Sequence, residues 1–424
     1  MFSTIISAAI CGMNVVLVHV EVDMAQGLPG LMMVGYLSGE VKEAGERVRV
    51  ALKNSGISIP PMRITVNLSP ADVRKEGTAF DLPIAVGMLR SLGYIKEEAA
   101  EGIMIAGELS LDGRINAIRG ILPLVRKAKE TGIKRCLVPE ANREEGAVIS
   151  GIEVRGAASL KDAIRYLNGE SEESPPEKKA EAGQGKKAEE MPDFSEVSGQ
   201  TAAKRAVEIA AAGFHNLLLI GPPGSGKTMI AKRIPGILPE LTMDECLEVS
   251  SLYSISGLLN NRETLITKRP FMSPHHTATA QALTGGGRIP RPGIASLAHK
   301  GVLFLDEMPE FGQNVLDMLR QPLEEKRINI ARVGGNYTYP ADFMLAGAMN
   351  SSKYVCGKDY NFGIRGNTLI SKASACVLPL IVLIYSILSI TSIIISFFSL
   401  PVSRVSYLFN RVCICGSRVI LALS

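Results

Sequence analysis

The chain has 424 residues, a formal charge of +4 at neutral pH and no tryptophan. Of its residues 46% are hydrophobic and 21% are charged, which provides enough apolar material for the cores of two or three domains. The small net charge does not by itself indicate nucleic-acid binding, and the scarcity of aromatic residues argues against surfaces that stack bases. The seven cysteines include no Cys-x-x-Cys pair, so their spacing does not indicate a zinc site.

The first 168 residues alternate between strand and helix patterns. The apolar start "MFSTIISAAICGMN" lacks the basic residues of a signal peptide and predicts a first strand. "VVLVHVEVDM" and "RITVNLSP" predict further strands. "EVKEAGERVRVALKNSG", "DLPIAVGMLRSLG" and "LPLVRKAKETG" predict helices. Residues 1–168 are therefore predicted to form an α+β domain.

Residues 169–192, "GESEESPPEKKAEAGQGKKAEEMP", differ in composition from the sequence on either side. They are rich in Glu, Lys, Pro, Gly and Ser, and they lack large apolar groups. Such a segment cannot offset its ordering entropy by burial. We interpret it as a flexible linker, after which a second α/β pattern runs from residue 193 to residue 350.

The strongest chemical signal is the stretch "LLLIGPPGSGKTMIAKRI". An apolar strand leads into the pattern G-x-x-x-x-G-K-[ST], and a helix pattern follows, which is the arrangement of a phosphate-binding P-loop. Gly224 and Gly226 allow backbone N–H groups to curl around phosphates, Lys227 neutralises the β and γ phosphates of ATP, and Thr228 offers a hydroxyl to Mg²⁺. The predicted nucleotide-binding residues are Gly221, Pro222, Pro223, Gly224, Ser225, Gly226, Lys227 and Thr228.

Two later strand ends supply the remaining candidate residues. "KGVLFLDEMPEF" is a buried-strand run that ends in Asp306, a predicted Mg²⁺ ligand, and Glu307, a predicted catalytic base or water-positioning residue. "FMLAGAMN" is another apolar strand, and it ends at Asn350. A polar residue at that position is suited to orient the attacking water, so Asn350 is the second predicted catalytic residue.

The segments that begin "DFSEVSGQTAAKRAVEIAAAGFHNLLLIGPPGSGKT" and "RPFMSPHHTATAQALTGGGRIPRPGIASLAHKGVLFLDEMPEF" resemble the Mg-chelatase-like AAA+ ATPases. The resemblance covers residues 193–350. It implies ATP and Mg²⁺ as cofactors, a homo-oligomeric, hexameric ring, and a sensor role for Asn350. It also implies that Gln200 belongs to a family motif ahead of the site.

The insertion before the Asp306 strand carries the adjacent pair His275 and His276. Neighbouring residues on a strand face opposite ways, so we interpret the pair as part of a turn or hairpin rather than as a metal site. Arg288 and Arg291 follow in the Gly- and Pro-rich "GGGRIPRPG". Arginines on such a loop suit contact with DNA phosphates or with a neighbouring subunit, and the sequence leaves both open.

The first domain is similar to that of the ComM/YifB group, through "GLPGLMMVG", "RITVNLSPADVRKEGTAFDLPIAVGML" and "GELSLDGRINAIRGILPL". It is also similar to the proteolytic domain of Lon proteases. Lon chemistry needs a serine nucleophile and a lysine base, and the matching positions here are Ala79 and Leu122. The resemblance therefore implies a Lon-like scaffold without peptidase activity. Ser69, Lys75 and Asp81 are interpreted as ordinary loop, turn and packing residues.

After Asn350 the family pattern stops, and residues 351–424 are interpreted as a non-family apolar tail. It contains the uncharged run "VLPLIVLIYSILSITSIIISFFSL", residues 377–400, which is long enough to span a bilayer and favours a helix. We interpret the tail as the product of a frameshift or a rearranged gene end, with a membrane anchor as the alternative. No lid or arginine finger is recognised in it, so ATP binding is expected more firmly than turnover.

These features together predict an α/β protein with a Lon-like domain followed by a P-loop AAA+ domain. The resemblance implies a cytoplasmic ATP-driven motor that acts on DNA in recombination or competence, for example in branch migration. No dedicated small-molecule substrate beyond ATP is implied. The alternatives are a motor subunit of a metal chelatase, against which the Lon-like domain argues, and an ATP-binding remnant without motor function.

Overall fold

A computed structural model describes residues 1–170, 192–259, 264–287, 289–332 and 335–350, together with the backbone of three short strands further on. Most of the predicted linker, residues 169–192, lies outside the described residues. The chain divides into two compact units. The first contains the N-terminal region together with Ser250–Ile266 and Ala331–Tyr337, and the second contains the rest. That two later segments group with the first unit is not predictable from the sequence.

The first unit is built on a seven-stranded sheet of order β3-β4-β2-β1-β5-β8-β9. Strands β1, β2 and β4 pair antiparallel, whereas β3, β5, β8 and β9 join the sheet by parallel pairing. The strands up to residue 170 are β1 (Phe2–Cys11), β2 (Asn14–Ala25), β3 (Gly30–Val34), β4 (Arg63–Ser69), β5 (Ile103–Ile105), β6 (Glu108–Leu109), β7 (Ile115–Asn116), β8 (Arg135–Pro139) and β9 (Glu153–Ala157). The helices are α1 (Gly39–Lys42), α2 (Ala44–Asn54), α3 (Asp81–Ser91), α4 (Ile121–Glu130), α5 (Arg143–Ala147) and α6 (Leu160–Leu167).

The predicted strands of this region and the predicted helices at α3 and α4 are confirmed, whereas the single helix predicted over residues 40–56 is divided at Glu43 into α1 and α2. Strand β2 shows why the strands are predictable, because its alternating side chains Val18, Val20, Val22 and Met24 are buried while those between them are more exposed. Helix α3 is buried along almost its whole length, so its sequence is apolar on all sides rather than on one face. The core of the unit lies between the sheet and helices α2 and α3.

The second unit contains a seven-stranded sheet of order β11-β14-β17-β10-β18-β20-β19, in which β18 is Ser392–Phe397, β19 is Cys413–Ile414 and β20 is Val419–Leu423. From residue 192 to residue 350 the strands are β10 (Asn216–Gly221), β11 (Phe271–Met272), β12 (Gly285–Gly286), β13 (Arg291–Pro292), β14 (Val302–Leu305), β15 (Arg327–Arg332), β16 (Gly335–Pro340) and β17 (Met344–Asn350). The helices are α7 (Thr201–Ala212), α8 (Lys227–Ala231), α9 (Ile234–Ile237), α10 (Met243–Ser256), α11 (Ala280–Thr284), α12 (Ile294–Leu297), α13 (Gln313–Met318) and α14 (Arg320–Glu325).

Strands β10, β11, β14 and β17 are parallel, and their central members are buried. Strands buried on both faces have continuously apolar sequences, such as "LLLI" and "VLFL" in this chain. Because the strands are parallel, their carboxyl ends meet at one edge of the sheet. The residues that follow each apolar strand therefore lie at this edge.

The apolar tail contributes β18 (Ser392–Phe397), β19 (Cys413–Ile414) and β20 (Val419–Leu423). Strand β18 pairs parallel with β10, so the helix expected over residues 377–400 is wrong at 392–397. The run "SIIISF" is rich in β-branched isoleucine, which favours a strand where a sheet edge offers a partner. Among the described residues, no helix has the length and hydrophobicity needed to cross a membrane.

Candidate nucleotide-binding site

Residues 221–228, called the loop below, run from the last residue of β10 into the first residues of α8 and have the backbone of a phosphate-binding turn. Gly224 has φ +79° and Gly226 has φ +84°, in the left-handed region that favours glycine. Nothing lies within 4 Å of the Cβ that a side chain at Gly224 would add, so its backbone conformation rather than crowding favours glycine there. Gly226 precedes the first residue of α8, whose N-terminus faces the loop. The local sequence therefore folds as a strand, a loop and a helix.

Lys227 lies within this loop and is only 7% exposed. Its Nζ donates to the carbonyl oxygens of Gly221 (3.0 Å) and Pro222 (2.8 Å) and to Ser225 Oγ (3.3 Å). Burial lowers the pKa of Lys227, and the charge of Asp306 acts in the opposite direction. The loop thus holds the ammonium group at its centre, where it is placed to meet phosphate oxygens.

Thr228 and Asp306 are 78 residues apart in sequence and in direct contact. Thr228 Oγ1 donates to Asp306 Oδ2 at 2.8 Å. The backbone N–H of Glu307 donates to Asp306 Oδ1 at 2.9 Å, which fixes the second carboxylate oxygen. A hydroxyl and a carboxylate at this separation are hard oxygen donors of the kind that hold Mg²⁺ together with phosphate oxygens and water. The residues present therefore fit this metal.

Glu307 follows at the same end of β14 and has an unusual backbone. Its φ of +47° and ψ of +46° are left-handed, and it precedes the short 3-10 turn Met308–Glu310. Non-glycine residues in this region are strained and often occur at functional sites. The Glu307 side chain is 47% exposed, and its Oε2 lies 4.0 Å from His276 Nδ1. Sequence reasoning missed this contact.

Asn350 is the last residue of β17, which lies between β14 and β10. Its Cα is in register with that of Gly221, the first residue of the loop. The carboxyl ends of β10, β14 and β17 thus bring the loop, Asp306–Glu307 and Asn350 to one edge of the sheet. All the nucleotide-site and metal-site residues predicted from the sequence meet there.

The remaining predicted positions of the second unit lie in turns and loops. Gln200 lies immediately before α7, as its N-cap, with a left-handed φ of +52°. His275 and His276 occupy a non-strand segment after β11, and their ring centroids lie 4.1 Å apart, so the two rings lie side by side rather than pointing apart. Arg291 is exposed in the β12–β13 hairpin, whereas Arg288 lies outside the described residues.

In the first unit, neither of the two positions that match the Lon nucleophile and base carries a catalytic side chain. Ala79 precedes α3, and its carbonyl accepts from the N–H of Gly107 at 2.9 Å. Leu122 is fully buried in the first turn of α4. Lys75 is not an ordinary loop residue, because it is fully buried with Nζ bonded to the carbonyl of Pro70, and burial lowers its pKa. Asp81 is likewise a fully buried carboxylate paired with Arg47.

Two family models match the chain. The model described as "Magnesium chelatase, subunit ChlI" matches residues 193–368, which extends past Asn350, and the model described as "Subunit ChlI of Mg-chelatase" matches residues 20–142. "Competence protein ComM" of Haemophilus influenzae is 42% identical over 350 residues, which cover 82% of this chain and 68% of that protein. "Uncharacterized protein YifB" of Escherichia coli matches to the same extent. A "Lon protease" of Lachnoclostridium phytofermentans is 26% identical over 160 residues, covering 35% of this chain and 20% of that protein.

Proposed function

Since the chain belongs to the ComM/YifB group of Mg-chelatase-like AAA+ proteins, we propose that it binds ATP together with Mg²⁺ at residues 221–228 and Asp306. The hydrogen bond between Thr228 and Asp306 is the observation that carries this proposal. It brings the end of the phosphate loop and the end of a neighbouring strand together as a pair of oxygen donors. Backbone N–H groups at the start of a helix that follows such a loop favour an anion.

Each residue of the site has a distinct task in this proposal. Lys227 exchanges its loop carbonyl partners for phosphate oxygens, and Thr228 with Asp306 holds the metal. When bound there, Mg²⁺ supplies positive charge against the charge that develops on the transferred phosphoryl group. Glu307 accepts a proton from the attacking water or orients it, and Asn350 orients the same water from the end of β17.

Binding of a fluorescent ATP analogue to the full chain tests the proposal. Lys227→Ala is expected to abolish binding, because it removes the cation at the centre of the loop. Lys232→Ala is the matched control, since Lys232 is exposed just after α8. Equal affinity in wild type and Lys227→Ala would refute the site. Loss in both variants would show an effect of general charge instead.

We further propose that the protein works as a DNA-processing motor in the cytoplasm, as a homo-oligomeric ring. A relative named as a competence protein supports this proposal, as does the exposed Arg291 on a hairpin of the ATP-binding unit. In such a ring, positive charge for hydrolysis comes from a neighbouring copy. Sedimentation with and without a non-hydrolysable ATP analogue tests the ring, which is expected to assemble in the presence of nucleotide.

A metal-chelatase motor is the second candidate, because both matching family models are described by a Mg-chelatase subunit. The two candidates differ in what stimulates ATP turnover. A DNA motor is expected to respond to DNA alone, whereas a chelatase motor is expected to respond only to a porphyrin with partner subunits. ATP turnover that is unchanged by DNA would favour the chelatase.

A further inference from the structure

The orientation of Glu307 matters for the proposed hydrolysis, because a base must lie within hydrogen-bonding reach of the water it activates. The backbone of Glu307 is strained, with φ +47°, and its N–H is committed to Asp306 Oδ1. The backbone is thus fixed, but the side chain is 47% exposed and has several rotatable bonds. A neighbouring side chain is needed to hold the carboxylate in one direction.

His276 lies where it can do so. Its Nδ1 is 4.0 Å from Glu307 Oε2. This distance is too long for a direct hydrogen bond, but one bridging water or a small side-chain rotation closes it. The sheet order explains the contact: β11 pairs parallel with β14, so the residues that follow β11 lie beside those that follow β14.

His275 supports the His276 ring from one side. The two ring centroids are 4.1 Å apart with 34° between the ring planes. His275 Nδ1 lies 2.9 Å from Thr277 Oγ1 and accepts from the N–H of Thr277 at 3.4 Å. These two contacts tie the His275 ring to the turn that follows it. The imidazole that faces Glu307 is therefore packed against a fixed neighbour.

We propose that His276 is a positioning residue that holds the Glu307 carboxylate toward the attacking water. This inference rests on the proposed ATPase function and adds to it a residue from the inserted segment. His276 touches neither the proposed metal ligands nor the phosphate loop among the contacts described above. Its loss is therefore expected to slow the chemical step and to leave nucleotide binding intact.

The contact itself is tested without ATP. Nuclear magnetic resonance of the full chain with isotope-labelled histidine gives ring signals from five histidines, which single substitutions assign. Glu307→Gln is expected to shift the His276 ring signals and to leave those of His19, an exposed residue of the first unit, unchanged. A His276 signal that does not respond to Glu307→Gln overturns the proposal, whatever the protein does with ATP.

Kinetics test the consequence. His276→Ala is expected to lower kcat by on the order of 10- to 100-fold, with KM and the affinity for a fluorescent ATP analogue within about twofold of wild type. His276→Gln keeps a polar side chain and is expected to recover part of kcat, whereas His276→Phe keeps only a ring and is not. His19→Ala is the control.

The outcomes separate this proposal from the function on which it rests. A wild-type kcat in His276→Ala, or equal rates for the Gln and Phe variants, overturns the positioning role. If wild-type protein binds no ATP analogue, the proposed function fails, and the histidine signals still decide whether His276 contacts Glu307. If it binds the analogue but turns over no ATP, only the hydrolysis step of the proposed function fails.

Discussion

Arg47 holds the buried carboxylate of Asp81 through two hydrogen bonds of 2.9 Å, one from Nε and one from Nη2. Asp81 is fully buried at the start of α3, whereas the Arg47 side chain on α2 is 24% exposed. Burial raises the pKa of Asp81 even though Arg47 opposes that change. The pair therefore joins two helices of the first unit at the cost of a buried charge.

We predict that Arg47→Leu destabilises the first unit by about 3 kcal/mol, because it leaves the Asp81 carboxylate buried without its partner. Urea denaturation followed by probes in each unit measures this, since a chain with two units need not unfold in one step. Arg49→Leu is the matched control, because Arg49 forms an exposed ion pair with Glu46 on the same helix. Equal shifts in the two variants would contradict the prediction.

Thr228→Val is predicted to remove the dependence of ATP binding on Mg²⁺. Valine keeps the shape of threonine but lacks the hydroxyl that donates to Asp306. Titration of a fluorescent ATP analogue with Mg²⁺ and with a chelator measures the effect. The variant is expected to match wild type in chelator and to gain little when Mg²⁺ is added.

The matched control for this prediction is Thr338→Val, since Thr338 is an exposed residue of β16 whose hydroxyl donates to Asn329. It is expected to keep the full response to Mg²⁺. A Thr228→Val protein that still gains affinity with Mg²⁺ would place the metal elsewhere.

The ionised Asp342 carboxylate is predicted to stabilise the second unit, and this stabilisation is lost only at acidic pH. Burial opposes its ionisation, but the hydrogen bond and charge of Lys300, with Lys326, outweigh this and hold the pKa of Asp342 below its usual range. A carboxyl whose pKa is lower in the folded state contributes stability above its unfolded pKa of roughly 4 and loses it as the pH falls through the folded value.

Comparison of wild type with Asp342→Asn by urea denaturation at pH 7, 5 and 3 measures this contribution. The stability difference is expected to be equal at pH 7 and 5 and smaller at pH 3. Its partner Lys300 is also expected to be charged at neutral pH. Burial lowers the pKa of Lys300, but Asp342 and Glu245 outweigh burial and raise it. A difference that persists unchanged to pH 3 would show that packing rather than charge accounts for it.

Much of the candidate site is predictable from sequence because its signals are local. Residues 221–228 follow one strand and begin one helix, and Asp306 and Asn350 each end an apolar run. The parallel pairing that places those ends together follows from the alternation of strands and helices. No distant contact has to be known to predict these positions.

The missed features depend on contacts between distant residues. Arg47 and Asp81 are 34 residues apart, and their helices show no pattern that pairs one arginine with one carboxylate. The His276–Glu307 contact requires that β11 be known to lie beside β14. At residues 392–397 apolar length favoured a helix, but pairing with β10 favoured a strand. In each case a partner outside the local window decides the outcome.

We predict that the full chain has no peptidase activity. Positions 79 and 122 carry alanine and leucine, neither of which can act as a nucleophile or as a base. Incubation of purified protein with an unfolded substrate, followed by electrophoresis, is expected to show no cleavage. Cleavage that copurifies with the protein through further chromatography steps, and that is lost on substitution of Lys75, would contradict this.

Arg291 is predicted to contact DNA phosphates. It is exposed in the β12–β13 hairpin, which the Tyr339 hydroxyl anchors by donating to the carbonyl of Pro290 at 2.8 Å. Loss of one phosphate contact reduces the slope of log affinity against log salt by about 1. Fluorescence anisotropy with duplex and branched DNA at several salt concentrations therefore distinguishes Arg291→Ala from wild type, and Arg205→Ala, on an exposed helix position, is the control. If Arg291→Ala keeps the wild-type salt slope but sediments as smaller particles, the hairpin contacts a neighbouring copy instead of DNA.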